Sequence, residues 1–341
     1  MTESTYTSVM AKEAQETPTV FSRQYTNNAQ HMEALVTEIR KFDPKFVYIV
    51  GRGSSDHAGV FAKYFIEVEL GIPVVAAAPS VSGVYHQQLK LKGGLAIVIS
   101  QSGRSPDIVN GIEMAKQAGA LCVALVNDPN SPAASKADHV IPLHAGEELA
   151  VAATKSYLAT LSAIAHLVAS WSGNLALLEQ LKTLPSLVEN AIAAPAQFQR
   201  LAFGEHKHCV VLGRGFGYAI AREIALKLKE VCSIQAEAFS SAEFIHGPVT
   251  LAEQGLLVID VSIGDESSKA HKEQIIDIQK RGAEVIHLHA PGENSPEESL
   301  PKRLSPLLLM QRFYLDLEAM AQSMNMNPDA PAGLKKVTMT H

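Results

Sequence analysis

Two rhythms of apolar residues alternate along this chain. Phe46–Val50, Val74–Ala78, Leu95–Ser100, Leu121–Val126 and Val140–Leu143 are short, nearly unbroken apolar runs. Such runs are expected of strands buried on both faces of a parallel sheet. Between them, Ala58–Leu70 and Ile108–Ala118 carry apolar residues three and four apart, which gives a helix one buried stripe. Gly119 and Gly282 each follow a helical stretch, where a left-handed residue ends a helix without steric penalty. Strand–helix alternation predicts an open, doubly wound parallel sheet with right-handed crossovers.

The pattern occurs twice. The triplet Gly51-Arg52-Gly53 closes one apolar run, and Gly213-Arg214-Gly215 closes another. At the same offset, Ile72-Pro-Val-Val-Ala falls on Ile234-Gln-Ala-Glu-Ala, and Ala96-Ile-Val-Ile-Ser100 falls on Val258-Ile-Asp-Val-Ser262. One residue further out, Ala118-Gly119 meets Arg281-Gly282. A repeat of this length is the mark of a duplicated structural unit. The expected class is α/β, with two flavodoxin-like, doubly wound sandwiches in tandem. The expected divisions are a helical segment over residues 1–28, a first α/β domain over 29–173, a helical linker over 174–203, and a second domain over 204–341. The linker contains Pro185 and Pro195.

Composition narrows the partners. The 341 residues suffice for two domains of about 150 residues each. The formal charge of −6, from 35 acidic and 29 basic residues with no Lys/Arg run, argues against nucleic acid. No apolar run has the length of a membrane span, and Met1–Thr19 lacks the apolar stretch of a signal peptide. Cys122, Cys209 and Cys232 have no metal-ligand spacing and read as buried free thiols of a cytoplasmic protein. No metal and no cofactor is expected.

Ligands of doubly wound sheets bind beyond the carboxyl ends of strands, where strand order reverses. That rule selects Gly51–Asp56 and Ser100–Ser105, with counterparts at Gly213–Tyr218 and Ser262–Glu266. The segment Ser100-Gln-Ser-Gly-Arg-Ser-Pro-Asp leads from a strand into a helix. A helix start offers unpaired N–H groups and a positive dipole end, and the hydroxyls add donors, so the loop suits a phosphate. The same residues also suit a serine-capped helix with Pro106 in its first turn. Ser54 and Ser55 cap the next helix, hold the ligand, or both. Neither loop has a third fingerprint glycine or a Walker lysine, which disfavours NAD and ATP. In the second copy, Asp265 and Glu266 stand where a phosphate would be repelled. Lys227 and Glu230 are three residues apart on one helical face, a spacing that an exposed ion pair also satisfies. His246 precedes a Gly-Pro turn, where a histidine taken alone is more often structural than functional.

Taken together, Gly51–Ser55, Ser100–Ser105, Leu226-Lys-Leu-Lys-Glu230, Glu243-Phe-Ile-His246-Gly-Pro and Leu334-Lys-Lys336-Val-Thr resemble the sugar isomerase (SIS) family. The resemblance runs from about Lys12 to the end. Within the family it is strongest to the isomerase half of glucosamine-6-phosphate synthase and its stand-alone relatives, among them a class of glucosamine-6-phosphate deaminases. It implies that Ser55, Ser100, Gln101, Ser102 and Ser105 hold the sugar phosphate, with Ser54 beside them. Val151 matches a position touching the sugar. Glu230 matches the base that moves a proton between C1 and C2, with Lys227 next to it. His246 matches the ring-opening histidine, supplied across a homodimer whose active site is shared. Lys336 matches a tail lysine able to form a Schiff base with a keto sugar, in preference to Lys335.

Three positions depart from the synthase pattern. Ala153 replaces a serine, Arg104 replaces an acid, and the tail is one residue shorter before Val337. The chain also begins Met1-Thr2 with no cysteine before Cys122, so the glutaminase domain that feeds the synthase with ammonia is expected to be absent. The expected activity is therefore the reverse direction, glucosamine 6-phosphate to fructose 6-phosphate and ammonia. The alternatives are another aldose–ketose sugar-phosphate isomerase, a sugar-phosphate deglycase, and, least favoured, a sugar-phosphate-sensing regulator. A sensor would need a DNA-binding module that the first 28 or so residues are too few to form.

Overall fold

A computed structural model describes residues 7–204, 206–293 and 300–336. The chain opens with α1 (Val9–Gln15). Ser8 caps it, its hydroxyl oxygen accepting the Ala11 N–H at 3.0 Å, which satisfies a donor that the first helical turn leaves unpaired. The Asp329 carboxylate accepts two more, from Val9 at 3.0 Å and Met10 at 2.8 Å. α2 (Thr17–Phe42) follows.

The first compact unit comprises residues 19–146 and 156–185. Its elements run β1 (Phe46–Val50), α3 (Ser54–Leu70), β2 (Val74–Ala76), α4 (Pro79–Gly83), β3 (Gly94–Ser100), α5 (Pro106–Gln117), β4 (Leu121–Val126), α6 (Pro132–Lys136) and β5 (His139–Pro142). All strands pair in parallel, in the order β2-β1-β3-β4-β5. Every residue of β3 is buried, so its sequence is a continuous apolar run and not an alternating one. On one face, Val50, Val98 and Ala124 pack with Ile108 and Ile112 of α5. Strand order reverses between β1 and β3, which sets the loops after these two strands side by side.

α7 (Lys155–Ser172) and α8 (Leu175–Ala193) come next. Pro185 lies inside α8, and the division between the units falls just after it.

The second compact unit comprises residues 186–336, 147–155 and the start of the chain to Pro18. It contains β6 (His208–Gly213), α9 (Phe216–Cys232), β7 (Gln235–Ser240), α10 (Ser241–Ile245), β8 (Leu257–Ser262), α11 (Ser268–Lys280), β9 (Glu284–His289) and α12 (Ser305–Ser323). Its four strands are parallel, in the order β7-β6-β8-β9. The repeat therefore equates β1, β2, β3 and β4 with β6, β7, β8 and β9. The two Gly-Arg-Gly turns also share a backbone. Gly53 has φ 52° and ψ −128°, and Gly215 has φ 55° and ψ −124°, a conformation open to glycine and strained for other residues. β5 and α6 have no counterpart among the described residues of the second sheet. Among the described residues, no helix is long and apolar enough to cross a membrane.

Candidate active site

The loop between β3 and α5 is held by its own backbone. The Asn127 N–H donates to the Gln101 carbonyl at 3.1 Å, and the Ala133 N–H donates to the Gly103 carbonyl at 3.0 Å. The Ser100 hydroxyl oxygen accepts the Gly103 N–H at 3.0 Å. Gly103 has φ 63°, and a Cβ there would strike the Ser131 side chain, so glycine is required twice over. Ser105 occupies the N-cap of α5, yet its side chain makes no capping bond. The purely structural account of that serine, as a helix cap, therefore fails. Arg104 does not add its charge to the loop's interior, because its guanidinium pairs with Asp128 at 2.6 Å on the surface. Ser54 and Ser55 begin α3 behind Gly53, which caps that helix without a side chain. The serines and Gln101 thus cluster at two adjacent strand ends, both running into the positive ends of helices.

In the second unit, α9 carries Lys227 and Glu230. The Lys227 ammonium donates to Glu230 Oε2 at 2.6 Å and stands 3.4 Å from Glu223 Oε1. The pair is not the exposed one that spacing alone allowed: the lysine side chain is 2% exposed, against 25% for Glu230. Burial works against the ammonium, and the Glu223 and Glu230 carboxylates outweigh it, so its pKa lies above that of an ordinary lysine. Lys227 is therefore a fixed positive charge, and Glu230 is a carboxylate with one edge open to solvent.

A second group of charges surrounds the loop that precedes α7. The Lys336 ammonium donates to Glu148 Oε2 at 2.9 Å and to the Ala150 carbonyl at 2.7 Å. Glu148 also accepts the Thr154 N–H at 3.0 Å. Glu13 of α1 accepts the N–H groups of Leu149 and Ala150, and its pKa is raised by burial and then by the neighbouring Glu148. Lys155, buried, pairs with Glu16 at 2.7 Å. The Val151 N–H donates to the Asp329 carbonyl at 2.9 Å. Val151 and Lys336 are thereby tied to the same short loop. His246 stands apart, exposed at the carboxyl end of α10.

Sequence reasoning missed Glu13, Glu16, Glu148 and Glu223. Glu223 is four residues before Lys227, so helical spacing could have revealed it. The other three meet their partners across loops, and no local period marks them.

The SIS domain family model matches residues 42–170 and 203–295, and the chain belongs to this family. The isomerizing glutamine–fructose-6-phosphate aminotransferase of Clostridium acetobutylicum is 37% identical over 265 residues, covering 74% of this chain and 43% of that protein. The chain spans about half the length of the curated relatives it matches. Among solved structures, one from Silicibacter pomeroyi, described as a candidate phosphosugar isomerase, superposes with a TM-score of 0.87 at 36% identity. It covers 95% of this chain and 100% of that one. The C-terminal domain of the glucosamine-fructose-6-phosphate aminotransferase of Francisella tularensis gives 0.80 at 25% identity, covering 97% and 100%.

Proposed function

We propose that this chain converts an amino-sugar phosphate, glucosamine 6-phosphate, to fructose 6-phosphate and ammonia. The observation that carries the reading is the buried Lys227 gripped by Glu223 and Glu230, which leaves the Glu230 carboxylate as the accessible base. Ser55, Ser100, Gln101, Ser102 and Ser105 would receive the phosphoryl group, so that reaction at the other end of the sugar becomes effectively intramolecular. Family membership and the likeness to aminotransferase isomerase halves support this substrate class.

The steps balance without an external oxidant or reductant. His246, reaching over from a second subunit of a homodimer, moves a proton from O1 to the ring oxygen and opens the ring. Glu230 takes the C2 proton of the open-chain aldehyde, giving an enolamine with its negative charge on O1, and returns it to C1, while a proton of the amino group passes to O1 and leaves a hydroxyl there. Lys227 stabilises the negative charge that develops on O1. The resulting C2 imine adds water and releases ammonia, leaving the ketose. Lys336 covers the sugar beside Val151.

A plain aldose–ketose isomerisation shares the ring opening and proton transfer and omits the imine. The 36% identity to the Silicibacter pomeroyi protein favours that second reading. An assay measuring ammonia and fructose 6-phosphate together, over glucosamine 6-phosphate and glucose 6-phosphate, separates the two. Fructose 6-phosphate formed only from the second sugar would replace the deaminase by the isomerase. Turnover of neither would remove both.

A further inference from the structure

The second unit has a cavity of about 660 Å³ at the carboxyl ends of β8 and β9, against α11. It lies where the repeat places the counterpart of Ser100, at Ser262. In the first unit the corresponding side of β4 is covered by β5 and α6. Among the described residues the second sheet ends at β9, with no counterpart of β5 beyond it.

The floor is a closed polar cluster. The Asp260 carboxylate, 3% exposed, is contacted by His271 Nε2 at 2.6 Å and His287 Nδ1 at 2.8 Å. It also accepts the Ser262 hydroxyl at 3.0 Å. Burial pushes Asp260 up, and the two histidine hydrogen bonds outweigh that, so its pKa is lowered. The same hydrogen bond raises the pKa of His287, and its half-exposed ring lines the cavity with Nε2 3.3 Å from Gln279 Nε2. At the mouth stand Lys272 and Lys302, exposed, and neither has an ion-pair partner among the described residues.

The two acids that promised to repel a phosphate are already engaged. Asp265 turns inward to accept the Ser267 N–H at 2.8 Å and the Ser267 hydroxyl at 2.6 Å. Glu266 pairs with Arg303 at 2.7 Å. Glu293 remains in the wall, its pKa raised first by burial. Among the described residues, the charged groups lining the cavity without an ion pair or hydrogen-bond partner are thus Lys272 and Lys302, while Ile275, Ile276 and Leu288 supply an apolar side. A volume of this size matches sites for small organic ligands.

We propose that this cavity is a second ligand site, binding a small sugar phosphate with its phosphoryl group between Lys272 and Lys302 and its sugar beside the His287 ring. The polar groups of Ser262, Ser268 and Gln279 meet the hydroxyls of the ligand. The duplicated unit has thus kept its ligand class and changed the means of holding it, from backbone and hydroxyl donors to side-chain cations.

Calorimetric titration of the full chain with fructose 6-phosphate tests this. S100A/S102A silences the loop after β3, and that variant should still show one binding event per chain. Adding K272A/K302A should weaken this event by about tenfold or more, as loss of two charge contacts requires. Fructose, without the phosphoryl group, should not bind there. A loop variant with no binding event, a quadruple variant that binds unchanged, or equal binding of fructose would each overturn the proposal. The His287 ring resonances of the unmutated chain should shift on adding fructose 6-phosphate, so the test does not depend on variants folding; static resonances would also overturn it. An inactive chain that still binds at this site would strike the function proposed above and leave this site standing.

Discussion

In the first sandwich the loop after β3 turns through Gly103, and the Ser105 hydroxyl makes no bond to the helix it precedes. In the second, the loop after β8 folds onto itself through Asp265 and Ser267. Both follow the third strand of their repeat, and both sheets begin from the same glycine turn at Gly53 and Gly215. One loop leaves the Ser105 hydroxyl out of its helix cap, while the other binds its Ser267 hydroxyl to Asp265. Duplication thus preserved the frame, in which backbone geometry fixes where a ligand can sit, and released the side chains to diverge.

The comparison can be broken at several points, beginning with the largest effect. Glu230→Gln removes the proposed base from the second unit and leaves the first unit's loop intact. Turnover should fall by about 10²–10⁴-fold, the usual range for a lost general base, with substrate affinity within about tenfold by calorimetry. Retained turnover would separate Glu230 from proton transfer. Gly103→Ala places a side chain against Ser131 at positive φ, so the thermal midpoint should drop and KM should rise by about tenfold or more. Ser102→Ala removes one donor, and KM should rise by about three- to tenfold with kcat nearly unchanged, the effect of losing one ligand hydrogen bond. An unchanged KM would place the phosphate elsewhere.

The smallest effect is electrostatic. Because the folded pKa of His287 is raised, its contribution to stability is full below about 6.5 and is lost as pH climbs through the folded value. Asp260, lowered, contributes above about 4 and loses that contribution as pH falls through its folded value. The stability difference between the protein and Asp260→Asn should therefore be largest where both groups are charged, between about pH 4 and 6.5, and should narrow without vanishing as pH rises through the folded value of His287. A difference that grows with pH would dismiss the histidine–aspartate coupling. His271, His289, Glu293 and Lys272 lie in or beside the same cavity and set the baseline for that titration.

Much of the frame was legible because a parallel strand and its crossover helix each impose a period on the chain. β1 and β4 coincide with their apolar runs, and β3 and β5 begin one residue earlier than expected. β2 stops at Ala76 instead of Ala78, since an edge strand pairs on one side only and its end is weakly marked in sequence. Gly119 and Gly282 take the positive φ expected after a helix. The charge network was less legible. Lys336 meets Glu148 across 188 residues, and Glu13 meets Leu149 across 136, separations that no helical or strand period spans. Lys227 shows the intermediate case. Its spacing to Glu230 was visible, but its burial depends on tertiary packing of α9, including the side facing α12.

Asp329 stitches the opening of the polypeptide to its last described stretch: its carboxylate holds Val9 and Met10, and its carbonyl holds Val151. Clipping the first ten residues, or crowding them with a fusion partner, would loosen that stitch. The disturbance would travel seven residues along the backbone to Lys336. Where a purification tag is attached thus bears on how Lys336 is held, and a tag at the start of the chain is the one to cleave before any rate is compared.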